Sequence, residues 1–159
     1  MPDSKEEVPK SDITTVRMWG IESAQGEVVL ETHNLGPCVG VAIYEPESRT
    51  GYLAHIPNPE LPGSSYEVLE NRLVTHFKEE ADFARMKAWL GGAKALKNHP
   101  EHTDAYRQWM IDALQDIGIP GGSITVEWIG DDHLSGGMKL NCADGTVEYR
   151  LSDFQPMAI

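Results

Sequence analysis

The run CVGVAIY at residues 38–44 limits the fold more than any other stretch of this chain. It is apolar or small throughout, with none of the alternation of a strand that has one face in water. It reads as a short strand buried on both faces. Gly36-Pro37 makes a turn before it, and a second turn follows at residues 46–51. A further short strand is expected at 52–56, ended by Pro57, Pro59 and Pro62, because proline cannot feed a sheet ladder.

The rest of the chain sorts around that pair. Strands are expected at residues 14–19, 27–32, 85–90, 124–129, 138–142 and 146–151. Asp144-Gly145 is a hairpin signal between the last two. Tyr66, Leu69, Leu73 and Phe77 fall on one stripe at helical spacing, with Ser64 or Ser65 as cap. A second helix is expected from Thr103 or Asp104. Its stripe is Tyr106, Trp109, Met110, Ala113, Leu114 and Ile117, with Gly118 at the C-cap. Strands, helix, strand, helix, strands is not a βαβα alternation, so the pattern predicts an α+β layered fold with two main helices. Residues 1–12 read as a polar, mobile tail and 13–159 as a single domain.

Composition removes several functions. The chain of 159 residues carries a formal charge of −12 and no basic run. A nucleic-acid surface needs a Lys/Arg footprint, and an anionic membrane would repel this chain. A strongly acidic target surface is likewise expected to bind poorly. No apolar run is long enough to span a bilayer and none resembles a secretory leader, so the expected location is the cytoplasm. The only cysteines are Cys38 and Cys142, which is no disulfide framework.

The chemistry-bearing candidates are Cys38 and His55. If 38–45 and 51–56 pair as a hairpin, the two fall within a residue or two of facing each other. A free thiol, with a pKa of roughly 8.5, is mostly protonated at neutral pH and needs a base to become a nucleophile. The residues alone leave other readings open. Cys38 and His55 can each be core, and Cys38, His33 and His55 could hold zinc, although no CxxC or HxxxH spacing supports a metal. Cys142, in the terminal hairpin, reads as structural. Gly91-Gly92 reads as a strand-end turn, His99 and His102 as solvated loop residues, and the four tryptophans as packing.

At these residues the sequence resembles the chemoreceptor glutamine deamidases, the CheD family. Thr32 precedes Cys38 by six residues, Leu35-Gly36-Pro37-Cys38-Val39 forms the turn, and Ala54-His55 places the histidine seventeen residues after the cysteine. Trp89-Leu90-Gly91-Gly92-Ala93, the second helix, Gly136-Gly137 and Asp144-Gly145-Thr146-Val147 correspond in order, so the likeness spans most of residues 13–151. It implies a layered α/β/β sandwich of mainly antiparallel strands and a cysteine-dependent protein-glutamine deamidase without metal or cofactor. In that likeness Cys38 is the nucleophile, His55 the base and Thr32 the residue that orients the histidine. The implied partners are a chemoreceptor or another glutamine-bearing protein and a CheC-type phosphatase. The same fold group widens the implied substrate to another protein target, and a non-catalytic interaction module is a separate alternative, favoured by Pro37 and its altered flanks. This chain departs from the family pattern at Pro37, at His33-Asn34 and at Met138-Lys139, and Pro37 has no N–H to offer an oxyanion.

Overall fold

The computed structural model describes residues 12–57, 85–95, 100–130 and 133–153. Nine strands form two sheets, with one long helix among the described residues. The strands are β1 (Asp12–Thr15), β2 (Ile21–Gln25), β3 (Val28–Thr32), β4 (Val39–Glu45), β5 (Thr50–Ile56), β6 (Lys87–Gly92), β7 (Ile124–Trp128), β8 (His133–Asn141) and β9 (Thr146–Asp153). The helix is α1 (Pro100–Asp116). One sheet has the order β1-β3-β8-β9 and the other β2-β5-β4-β6-β7. Pairing is antiparallel except for β1 with β3 and β6 with β7. This is an α+β layered sandwich.

The apolar run accounts for the layering. Every residue of β4 is buried, and the strand sits at the centre of the five-stranded sheet. Val39, Val41 and Ile43 point toward α1 and pack with Tyr106, Met110 and Leu114. Those three helix residues are spaced four apart, so they lie on one face one above another. Cys38, Ala42 and Tyr44 point the other way, into the layer shared with Leu30, Met138 and Leu140 of the four-stranded sheet. Alternation along one strand therefore feeds two separate cores.

The two sheets approach closely because the five-stranded sheet is bare at three inward positions. A Cβ at Gly40 would come within 2.9 Å of Leu35, at Gly51 within 2.6 Å of Cys142, and at Gly91 within 2.7 Å of Tyr149. Gly91-Gly92 is thus a place of close approach as well as a strand end. Tyr149 lies over Gly91 and its hydroxyl accepts from the Gly92 N–H at 2.7 Å. Burial pushes that hydroxyl up to about 12, so it stays a neutral phenol.

Several sequence expectations shift. The strand expected at 14–19 ends at Thr15, since the chain turns through Trp19 at a φ of 68°. β2 was not foreseen. The second sequence-predicted helix begins at Pro100, because proline is tolerated in a first turn, where its missing N–H has no partner to lose. His102 therefore lies in α1 and is half-buried rather than solvated. Gly118 closes the helix at a φ of 115°, and Ile119 N–H returns to the Leu114 carbonyl at 3.1 Å. The last hairpin turns through four residues rather than Asp144-Gly145 alone, with Asn141 paired to Thr146. The stripe of Tyr66, Leu69, Leu73 and Phe77, the tail before Asp12, Pro59, Pro62 and His99 lie outside the described residues. All four tryptophans are half-buried.

Tyr106 links helix and sheet. Its hydroxyl bonds the carbonyls of Ile56 and Pro57, both at 3.0 Å, immediately after His55. Tyr106→Phe removes the only donor for that pair of contacts and leaves the ring's packing intact. Expected destabilisation is about 1–2 kcal/mol, read from urea midpoints at unchanged slope.

Candidate active site

Thr32 and His55 meet at one end of the inter-sheet layer, and Cys38 precedes the strand that pairs with that of His55. Thr32 ends β3 in the four-stranded sheet, and His55 sits next to last in β5 of the other. Cys38 immediately precedes β4. The β4–β5 register pairs Gly40 with His55, so Cys38 lies two residues from direct opposition on the same face. Diagonal neighbours of this kind have Cα atoms about 7–8 Å apart, within reach of side chains turned toward each other. Relative exposures are 0% for Thr32, 2% for Cys38 and 4% for His55.

The loop carrying Cys38 is clamped from both sides. Leu35 N–H donates to the Gly136 carbonyl at 2.9 Å, Ala93 N–H to Cys38 carbonyl at 2.8 Å, and Lys94 N–H to Gly36 carbonyl at 2.9 Å. Asn34 enters the loop at a φ of 58°, a left-handed conformation that asparagine tolerates. His55 is held by its backbone as well. Its N–H donates to the Gly20 carbonyl at 3.1 Å, and its carbonyl accepts from Trp19 N–H at 2.7 Å.

The histidine's tautomer follows from counting donors. Thr32 Oγ1 lies 2.7 Å from the Val16 carbonyl and 2.7 Å from His55 Nδ1. A hydroxyl has one proton, and a carbonyl can only accept, so that proton goes to Val16. Thr32 must then accept from His55, which puts the imidazole proton on Nδ1 and leaves Nε2 as a bare lone pair. Nε2 is buried and has no hydrogen-bond partner among the described residues. An unsatisfied buried acceptor of this kind costs about 1–3 kcal/mol and calls for an explanation. Burial also draws the imidazole down from the ordinary 6.5 to about 4. His55 is therefore a neutral acceptor at rest, not a resident cation beside a thiolate.

A stability prediction comes from that shift. The unfolded chain takes up the histidine proton near the ordinary value, while the folded chain resists until about 4. The unfolded state therefore binds more protons between these values, and stability falls as pH drops through the window. Urea midpoints of the wild type and His55→Gln are expected to diverge from about pH 7 to about pH 4.5, the wild type losing more. Parallel curves would show that His55 is not buried as a neutral base.

A cleft of about 330 Å³ reaches His55, lined also by Val16, Arg17, Met18, His33 and Asn34. A second, of about 410 Å³, lies on the outer face of the four-stranded sheet over Gly136-Gly137 and shares His33 and Asn34 with the first. His33 is exposed and 3.2 Å from Glu31, turned to the surface rather than grouped with Cys38 and His55. Among the described residues no group of three or more His, Cys, Asp or Glu side chains is placed to hold a metal ion. Cys142 is fully buried at the far hairpin, and burial pushes its thiol up. The sequence reading had no way to find Val16, whose contribution is a backbone carbonyl, or Tyr106, which read as one member of a helix stripe.

The fold and the placement of these three side chains define an α+β layered sandwich with a buried Thr–His pair and a cysteine beside it. Curated relatives give that class a more particular likeness. The chain is 49% identical over 45 residues to the "Probable chemoreceptor glutamine deamidase CheD 2" of Geobacter metallireducens, a match covering 28% of each protein. It is 24% identical over 124 residues to the "Probable chemoreceptor glutamine deamidase CheD" of two Desulfitobacterium hafniense strains, covering 69% of this chain and 78% of theirs. The chain thus spans about a quarter of the first relative's length and about three quarters of the others'. No family model matches. Among solved structures, Bacillus licheniformis hypothetical protein YfiH aligns with a TM-score of 0.48 at 17% identity, over 65% of this chain and 48% of that one.

Proposed function

We propose that this chain is a CheD-like, cysteine-dependent protein-glutamine deamidase. The observation that carries the reading is the Nε2 of His55, without a hydrogen-bond partner among the described residues: a buried lone pair on a ring whose tautomer follows from Thr32 and Val16 and whose diagonal neighbour across the strand pair is Cys38. A base needs that lone pair free and neutral. Contacts between nucleophile and base are often long before substrate binds and tighten in the complex.

The reaction has two halves. Nε2 takes the Cys38 thiol proton as sulfur attacks the side-chain amide carbon of a glutamine. Backbone N–H groups beside Cys38 stabilise the tetrahedral oxyanion, residue 37 excepted because it is proline. The Nε2 proton passes to the departing nitrogen, ammonia leaves, and a thioester remains. Water, deprotonated by Nε2, then attacks the thioester and releases glutamate and the thiol. A depressed imidazole value keeps the base form available well below neutrality. The names of the curated relatives favour a chemoreceptor as substrate, in which case the deamidase works in the cytoplasm and a CheC-type phosphatase is a candidate partner. No helix among the described residues is long and apolar enough to cross a membrane.

The near-complete burial of Cys38 favours a second reading, a CheD-like interaction module without catalysis. Mass spectrometry of candidate proteins separates the two. A deamidase adds about one mass unit at particular glutamines in a Cys38-dependent manner, and a module leaves them unchanged.

A further inference from the structure

The charge of the whole chain and the charge of the cleft at His55 point in opposite directions. The chain carries −12, yet no carboxylate lines this cleft among the described residues. Arg17, Met18, His33 and Asn34 line it together with His55. Arg17 is exposed, and no carboxylate among the described residues pairs with it. The neighbouring cleft is different. Its cations are compensated, Lys139 by Glu31 at 3.8 Å and Arg150 by Glu148 at 3.1 Å. Met18 is 52% exposed, so its apolar side chain is accessible to a polypeptide at this cleft.

The backbone that carries these two side chains is anchored beside His55. It forms a two-residue bridge pinned at both ends to the site. Before them, Val16 accepts from Thr32 Oγ1 and its own N–H donates to the Glu31 carbonyl at 2.7 Å. After them, Trp19 N–H donates to the His55 carbonyl at 2.7 Å. The backbone positions of a cation and an apolar side chain are thereby fixed beside His55.

We propose that Arg17 and Met18 select the polypeptide that the Cys38–His55 site acts on, by taking a carboxylate and an apolar side chain that flank the target amide. This rests on the amidase reading above. The guanidinium fork suits a carboxylate, and the methionine adapts to varied apolar groups. An acidic segment is repelled by the protein at large and attracted at this lip, which sharpens where it lands as well as whether it binds. The bulk charge argues against acidic targets, and the cleft reverses that argument locally.

Two measurements on the full chain test the assignment. The first is alkylation of Cys38 by anionic iodoacetate and neutral iodoacetamide at low salt. The rate ratio is expected to fall about threefold or more in Arg17→Glu and to converge with the wild-type ratio as salt is added. The neutral reagent normalises for intrinsic thiol reactivity. The second compares glutamine peptides carrying a flanking Glu or a flanking Lys. Wild type is expected to favour the Glu peptide through KM, Arg17→Glu to reverse the order, and Met18→Ser to raise KM for peptides with an apolar flank. An unchanged alkylation ratio, or an unchanged peptide order in a wild type that does deamidate, overturns the assignment and leaves the amidase standing. A wild type that converts no glutamine in any peptide or protein overturns the amidase itself, and the selector role with it.

Discussion

Cys38→Ala is expected to reduce glutamine conversion to background, and His55→Ala to reduce it by about 10²–10⁴-fold. The double variant should be no worse than Cys38→Ala, because nucleophile and base act as one unit and their losses do not add. Thr32 separates orientation from chemistry. Thr32→Ser keeps a hydroxyl that can donate to Val16 and accept from Nδ1, so it should retain most activity. Thr32→Val keeps the shape but frees the ring to take either tautomer and leaves Nδ1–H unsatisfied, so an intermediate loss is expected, with a pH profile that changes shape. Intact-mass and peptide-level spectra read all five variants. Ammonia release that survives Cys38→Ala would end the thiol mechanism, and a Thr32→Val profile identical to wild type would end the orienting role.

The second large effect is structural. Gly92 ends β6 at a φ of 93°, where an L side chain is strained, and a Cβ there would overlap the Cys38 carbonyl oxygen. Neither partner can yield cheaply. The carbonyl belongs to a backbone already bonded to Ala93 N–H, and Gly92 N–H is bonded to Tyr149. Gly92→Ala therefore combines overpacking, about 1–3 kcal/mol, with a left-handed backbone penalty of about 1–2 kcal/mol. A loss of about 2–5 kcal/mol in urea unfolding is expected. Activity of the folded fraction should fall too, since relief comes by displacing the loop that carries Cys38. Gly122→Ala, where no atom lies within 4 Å of the added Cβ, is the control.

Much of the layered architecture was legible because burial leaves direct marks. A strand covered on both sides has no polar face, so CVGVAIY announces two layers, and the stripe Tyr106, Met110, Leu114 announces what covers one of them. β2 was missed because IESAQ is an edge strand with exposed polar residues, and edge strands owe their place to a neighbour's hydrogen bonds rather than to their own apolar pattern. The proximity of Cys38 and His55 could be read because a short hairpin converts spacing into register. Thr32 reached the site only through family likeness, since its contact with His55 spans two sheets, a distance that no local pattern encodes. Arg17 and Met18 left no signal either. Their place beside His55 depends on a turn through Trp19 that the strand pattern at 14–19 concealed.

The clamp on the Cys38 loop also bears on the order of assembly. Its partners are Gly136, Ala93 and Lys94, which lie some 55 to 100 residues further along the chain than Leu35, Gly36 and Cys38. Contacts so distant in sequence close late, because the intervening loops must lose their freedom first. The hairpin of β4 and β5 is local and can form while later residues are still being synthesised. A growing chain thus places Cys38 and His55 on adjoining strands early, but fixes the geometry between them only after β8 docks. Cys38 is therefore expected to reach its strand before its surroundings are set, with the last hairpin closing the clamp through Gly136.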